Sequence, residues 1–343
     1  MDTIWPGKSR GTSKLKRYLE PRLVVITLVL FSMALLAQFP ELHWTLDLLT
    51  SFTLYYYLAG LLLTFLFLII RKPVWAVLPL ALSGYHYTLL DPYSGAGATS
   101  CLVEKSGEEL AILQFNVGSR NDQIGAISSW INMQESPPDI IIFFEATERL
   151  DSILKEMKIG AWPHVLSRFQ TDNFGIAAAS RMGDVELALA TIGDPYYPSL
   201  VIERTSSREG LPFALIATHP PPPLTGELSS ARNQQFKALA KKLNTFRMPN
   251  RILLGDLNVT PWSPRFGQLL NESGTRDAQA GRGYAGTYPA YGIPKFLALP
   301  IDHTLVSPNI KVLSRLVWSG SDFGSDHNLV LTRLWLSDCE KPI

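Results

Sequence analysis

Three apolar stretches dominate the first quarter of the chain. Leu23–Phe39 runs for 17 residues and Leu48–Ile70 for 23 without a formal charge. Pro73–Leu90 adds 18 more, diluted by two prolines, a glycine and His86. A hydrocarbon core about 30 Å thick takes a helix of roughly 20 apolar residues, so each stretch is read as a membrane span. Beyond residue 109 the pattern changes to short apolar runs that end in polar residues. Leu110–Asn116, Asp139–Glu145, Gly175–Arg181, Ser199–Arg204, Leu211–His219, Arg251–Leu257, Ile301–Ser307 and Leu329–Leu336 read as strands. DIIIFFE at 139–145 and RILLGDL at 251–257 are almost wholly apolar, as in strands covered on both faces. Helical spacing covers Gln123–Met133 and Ser229–Leu243, the latter with Ser229 as its N-cap. Ser263-Pro264 opens a further helix, with a cap followed by proline at the first position. Strands interspersed with helices predict an α/β or α+β domain with both sheet faces covered.

Charge separates the same two regions. Residues 1–100 carry 8 Lys/Arg and 5 Asp/Glu, and residues 101–343 carry 23 and 25. The second region thus lacks the basic excess of a typical duplex-binding protein. The organisation predicted is a basic N-terminus at 1–22, a transmembrane region at 23–90 (spans 23–39, 48–70 and 73–90), a linker at 91–109, a catalytic domain at 110–337 and a tail at 338–343. Lys8, Arg10, Lys14, Lys16, Arg17 and Arg22 precede the first span, Arg71 and Lys72 lie between the second and third, and the 40–47 loop has neither Lys nor Arg. The positive-inside rule puts the N-terminus and the 71–72 loop in the cytoplasm. Three crossings make a multi-pass protein of the cell (inner) membrane with its catalytic domain on the extracytoplasmic side; without a crossing by Pro73–Leu90, the weakest of the three, that domain is cytoplasmic. In an oxidising compartment, Cys101 and Cys339, the only two cysteines, are a candidate disulfide, with two free thiols as the alternative.

Polar residues recur where apolar runs end: Phe115-Asn116, Phe144-Glu145, Thr218-His219, Gly255-Asp256-Leu257-Asn258, Ile301-Asp302-His303 and Ser325-Asp326-His327. Loops beyond strand ends are where a rigid scaffold presents its chemistry. In order and spacing, across residues 110–336, these segments resemble the endonuclease/exonuclease/phosphatase family, with GDLN, IDH and SDH the most diagnostic; the chain looks like a membrane-anchored, bacterial-type member. The resemblance implies a four-layer sandwich of two packed β-sheets flanked by helices, here preceded by the transmembrane segment. It also implies a metal-dependent hydrolase acting on phosphoester bonds by in-line attack of water, with Mg²⁺ or Mn²⁺ as cofactor and no obligate protein partner.

The residue types suit that chemistry, because a hard divalent cation with oxygen ligands offsets phosphoryl charge. By the resemblance, Glu145, Asn116 and Asp326 hold the metal. Asp256 and Asn258, two apart and therefore on one side of an extended strand, hold the attacking water and phosphoryl oxygens. His327 is the general base or a donor to a phosphoryl oxygen, Asp302 fixes its tautomer, and His219 binds or protonates a phosphoryl oxygen. Gly118 departs from DNA-repair members that carry an acidic residue there. Pro220–Pro223 forms a stiff wall after His219, His303 is read as structural, and Thr287 and Asn173 lie near the site. The substrate is nucleic acid, as for a nuclease, or a lipid or small-molecule phosphoester, with the membrane and the neutral charge balance favouring the latter. The competing reading is an inactive membrane receptor or scaffold that keeps the fold.

Overall fold

The computed structural model describes residues 10–94, 107–159, 161–205 and 210–337. Cys101 and Cys339 lie outside them, so the disulfide expectation does too. The chain divides after Asp91 into two compact units. The first holds α1 (Arg10–Leu36), the short α2 (Trp44–Leu49), α3 (Thr53–Ile69) and α4 (Pro73–Leu90), with a 3₁₀ turn at Thr50–Phe52. Two helical segments, Lys16–Leu36 and Trp44–Ile69, are long and apolar enough to cross a membrane. The third apolar stretch is helical throughout, with Pro73 in the first turn and Pro79 inside, but it does not reach that standard. α3 and α4 meet at Gly60, where a Cβ would lie 2.7 Å from the Pro79 carbonyl oxygen, so only glycine permits this approach. Ser83 Oγ donates to the Tyr57 carbonyl across the same seam at 2.8 Å. Many large side chains face outward instead, among them Val25, Ile26 and Val29 of α1 and Leu61, Leu62, Phe65 and Leu68 of α3. So broad an apolar surface is costly in water and suits apolar surroundings.

The second unit contains twelve strands among the described residues. Its first half runs β1 (Gly107–Asn116), α5 (Ala126–Asn132), β2 (Ile140–Phe144), α6 (Asp151–Ile159), β3 (His164–Arg168), β4 (Ile176–Ser180), β5 (Glu186–Ala190) and β6 (Ser199–Arg204). Then follow β7 (Phe213–Thr218), α7 (Gly226–Leu243), β8 (Asn250–Asp256), α8 (Pro264–Ser273), β9 (Arg276–Asp277), β10 (Asp302–Val306), β11 (Lys311–Trp318) and β12 (Leu329–Ser337). They form two six-stranded sheets, ordered β11-β12-β1-β2-β4-β3 and β5-β6-β7-β8-β10-β9. Each sheet has one parallel pair, β1 with β2 and β7 with β8, and each pair is bridged by a helix as a βαβ unit.

Strand alternation assigns the layers. Ile140, Ile142 and Phe144 join Leu200, Leu215, Ile252 and Leu254 in the core between the sheets. Ile141 and Phe143 face the other way, onto Ile127 and Ile131 of α5 and Ile153 and Leu154 of α6. On the opposite side Ile216 and Leu253 pack against Phe236, Leu239 and Leu243 of α7 and Phe266 and Leu269 of α8. The result is the four-layer sandwich the resemblance implied. The all-apolar runs at 140–144 and 251–254 follow from burial on both faces.

Several boundaries differ from the sequence reading. β1 begins at Gly107, inside the expected linker. α7 begins at Gly226 because Thr225 Oγ1, not Ser229, caps it, accepting the Leu228 N–H at 3.2 Å. Ser263 caps α8 as expected, accepting the Arg265 N–H at 3.1 Å, with Pro264 next. α6 and the strands β3, β5, β9 and β11 were not anticipated. Those four strands are the edges of the two sheets.

Candidate active site

The carboxyl ends of the two parallel pairs meet at one end of the sandwich. β1 ends at Asn116, and Glu145 follows β2 in a left-handed conformation with φ 56°. β7 is followed by His219, and β8 ends at Asp256. Asn258 has φ 51°. The expected extended run from Asp256 to Asn258 is therefore wrong. The chain turns sharply, Asp256 Oδ1 accepts the Asn258 N–H at 3.1 Å, and the turn brings both side chains to the site. Gly255 allows this, since a Cβ there would overlap the Thr218 carbonyl oxygen at 1.8 Å.

All eight predicted residues converge. Asn116 Nδ2 donates to Glu145 Oε1 at 3.0 Å and to Asp256 Oδ2 at 3.1 Å, tying the two sheets together. The second Glu145 oxygen accepts the Ser119 N–H at 2.9 Å. Asp256 Oδ2 also lies 3.4 Å from His219 Nε2 and 3.5 Å from His327 Nε2. His327 Nδ1 meets Asp302 Oδ2 at 3.0 Å, the pairing expected of a tautomer-fixing carboxylate. Asn258 Nδ2 donates to the Pro220 carbonyl at 3.0 Å and lies 3.2 Å from His219 Nε2, so the proline run does border the site. Asp326 and Glu145 line one open cleft of about 600 Å³ with Ser119, Arg120, Asn173 and Tyr291.

Electrostatics divides the roles. Burial pulls the His327 imidazole down, but Asp302 and Asp256 outweigh it and push it up to about 10. His219 is raised too, burial being outweighed by Asp256. Burial raises the Asp256 carboxyl, yet His327, His219 and the Asn116 amide outweigh it and hold Asp256 well below the usual carboxylate range. Asp256, Asp302 and His327 also bring ligand-type atoms within 4.8 Å of one another. The His327–Asp302 hydrogen bond already accounts for that closeness. The carboxylates of Glu145 and Asp326 instead open onto the cleft, and among the described residues neither appears in a salt bridge. In the metal-free chain His327 is expected to keep its proton well above pH 6.5. An NMR titration of its ring signals checks this, and a midpoint at or below 6.5 contradicts it.

The neighbouring residues sort into supports. His303 points away from the site, with Nε2 2.8 Å from the Val259 carbonyl and its ring on Phe266, so it is structural. Thr287 Oγ1 accepts the N–H groups of Ile301 and Asp302, both at 3.2 Å, and so fixes the start of β10. Asn173 Oδ1 accepts the Ser119 hydroxyl at 2.6 Å on the cleft wall. Gly118 has φ 75°, and a Cβ there would be 4.0 Å from Asp326 Oδ1, so the position that is acidic in some repair enzymes adjoins the carboxylate pair. The sequence reading missed Ser325, whose hydroxyl donates to the Asn116 carbonyl at 2.6 Å and accepts the His327 N–H at 3.0 Å. Its place at the head of SDH was the available signal. Tyr288, whose ring lies 4.9 Å from that of His327, and Arg315, which donates to the Asp302 carbonyl at 2.8 Å, carried none.

The sequence model of the Endonuclease/Exonuclease/phosphatase family matches residues 113–327, the stretch that contains every one of these groups. The chain belongs to the endonuclease/exonuclease/phosphatase family. Its fold is shared by a family protein from Bacteroides vulgatus at 19% identity and TM-score 0.55, covering 67% of this chain and 100% of that one. The 3' phosphatase NExo from Neisseria, solved with a product DNA hairpin, matches at 22% identity and TM-score 0.52, over 65% and 98% of the two chains. The human Nocturnin catalytic domain, with a bound sulfate, matches at 15% and 0.50, over 66% and 97%. No curated protein matches the chain in sequence. Members of the endonuclease/exonuclease/phosphatase family are phosphoester hydrolases, and identities this low carry the fold alone.

Proposed function

We propose that the chain is a membrane-anchored, divalent-metal-dependent phosphoesterase. The observation that carries this is the pair Glu145 and Asp326, two carboxylates without a salt bridge among the described residues, facing an open cleft next to the His219–Asp256–His327 cluster. Glu145, Asp326 and the Asn116 amide would hold Mg²⁺ or Mn²⁺, oxygen donors of the kind such cations select. The cation would supply charge neutralisation on the phosphoryl group. Asp256, kept ionised by its histidines, accepts a proton of the attacking water and aligns it. His327, kept protonated by Asp302 and Asp256, donates to a phosphoryl oxygen, and His219 does the same from the other sheet. This favours the donor role over the base role for His327. Asn258 orients His219 and the phosphoryl oxygens.

The test is hydrolysis of bis-p-nitrophenyl phosphate and p-nitrophenyl phosphate by the purified full chain. Turnover is expected with Mg²⁺ or Mn²⁺ and none with EDTA. Absence of turnover with either metal would favour an inactive scaffold. NExo, a relative in fold, was solved with product DNA. A panel of single-stranded DNA, RNA and phospholipids therefore belongs in the same assay. The two long apolar helices support anchoring, and the Lys/Arg distribution supports a cytoplasmic N-terminus; the catalytic unit then lies outside only with a third crossing by Pro73–Leu90, which the basic pair Arg71-Lys72 before it favours. A periplasmic reporter fused after residue 343 is expected to be active, whereas activity of a cytoplasmic reporter there overturns the three-span arrangement.

A further inference from the structure

The segment from Tyr288 to Leu299 rises from the edge of the active site. Its base is held by main-chain bonds, Thr287 N–H and Tyr288 N–H to the Leu299 carbonyl at 2.8 and 3.0 Å. The Ala290 N–H also donates to the Asp326 carbonyl at 2.7 Å, and the Asn328 N–H to the Thr287 carbonyl at 2.8 Å, so the base is fixed to the backbone on both sides of His327. Its tip, residues 291–296 (Tyr-Gly-Ile-Pro-Lys-Phe), is exposed throughout. Phe296 is 61% exposed, Tyr291 59% and Ile293 37%. Tyr291 lines the same cleft as Glu145 and Asp326, which makes the apolar tip continuous with the mouth of the site.

From the geometry we infer that the 291–296 tip inserts into the headgroup layer of a bilayer, and that the site takes phosphoesters presented there by lipids. The inference rests on the phosphoesterase reading above and names its substrate class. Two aromatic side chains, one branched aliphatic chain and a single lysine form the composition that settles at a membrane interface, where rings sit at headgroup level and lysine reaches phosphates. The chain supplies the bilayer, since two of its own helices are long and apolar enough to cross one. The cleft argues against a long nucleic acid. Its lining offers one cation, Arg120, beside Asp122, Glu145 and Asp326, whereas a backbone-tracking groove needs several Lys or Arg. The rigid base keeps the inserted tip in a fixed relation to Asp326 and His327.

The test uses the full chain in nanodiscs of phosphatidylcholine and phosphatidylglycerol. A nitroxide is placed at 296 or, as a control, at the exposed Lys241, in a Cys101→Ser/Cys339→Ser background. Collision with oxygen is expected to exceed collision with a soluble nickel chelate at 296 and the reverse at 241. Equal, water-like accessibility at both positions overturns the inference. In parallel, Ile293→Ser/Phe296→Ser is compared with the unaltered chain on bis-p-nitrophenyl phosphate, single-stranded DNA and the nanodisc phospholipid. The expected result is a loss of about tenfold or more on the phospholipid, with turnover of the soluble ester unchanged, because two apolar side chains that would enter the bilayer are removed. A loss confined to DNA makes the tip a base-stacking surface and overturns the bilayer reading. No phospholipid turnover by the unaltered chain, with the soluble ester still cleaved, overturns the lipid substrate while the phosphoesterase reading stands. Failure of the unaltered chain on every substrate defeats the phosphoesterase reading instead.

Discussion

Replacing Glu145 with Gln is expected to remove metal-dependent hydrolysis by about 10³-fold or more while the chain still folds. The side chain is nearly isosteric, so packing around the left-handed residue is kept. Its chemistry is not. Both Glu145 oxygens accept hydrogen bonds, from Asn116 Nδ2 and the Ser119 N–H. An amide nitrogen in place of either oxygen faces a donor, and the negative charge toward the cleft is gone. The loss should therefore be accompanied by weaker Mn²⁺ binding, measurable by calorimetry on the full chain in detergent, with an unchanged far-ultraviolet circular dichroism spectrum. Wild-type turnover in Glu145→Gln would remove this residue from the metal site and leave the cation to the Asp256–Asp302–His327 group.

The second large effect is the shape of the pH profile. A proton-donating His327 makes kcat/KM fall on the alkaline side, as the imidazole loses its proton. The raised pKa sets the sign: the active, protonated form predominates below the folded value and is lost as pH rises through it. The alkaline limb should lie between the free-imidazole value of 6.5 and about 10, because a bound cation pulls the metal-free value down. His327→Gln is expected to cost about 10²- to 10⁴-fold and to abolish that limb. Were His327 the base, the wild-type rate would instead fall on the acidic side through a histidine titration. Asp256→Asn separates the roles further, since it removes the carboxylate that aligns water and lowers His327 and His219 together.

The sequence disclosed what burial on two faces makes obvious. Central strands such as β2 and β8 must be apolar throughout, and helices such as α7 must repeat at helical spacing. The edges obey no such demand. β5 has no buried residue, β11 buries only Val312, and β9 is two residues long, so none stands out from loop sequence. The site was legible for a related reason: a carboxylate, amide or imidazole at the end of an apolar run is conspicuous. What supports those groups was not. Ser119 acts through a backbone N–H that every residue but proline possesses. Thr287 and Arg315 reach Asp302 from distant segments, which no local pattern encodes. The turn at Asn258 defeated an argument from strand spacing because positive φ in a non-glycine residue is set by the hydrogen bond to Asp256.

The two βαβ units belong to different sheets, and the decisive pairs cross between them. Asn116 bonds Asp256 from the opposite sheet, and His327, on the loop entering β12, bonds Asp302 on β10. Deeper in the interface Gln114 Nε2 donates to the His303 carbonyl at 3.0 Å and to Thr304 Oγ1 at 3.1 Å, a polar peg within an apolar layer. Such a centre is a coincidence detector. Neither half of the polypeptide owns it, and it exists only once both halves have folded and docked in register. A one-residue slip of β1 would present Phe115 in place of Asn116. On the proposed function, a misassembled or half-folded copy would be inert toward phosphoesters, and hydrolytic competence would certify that assembly is complete.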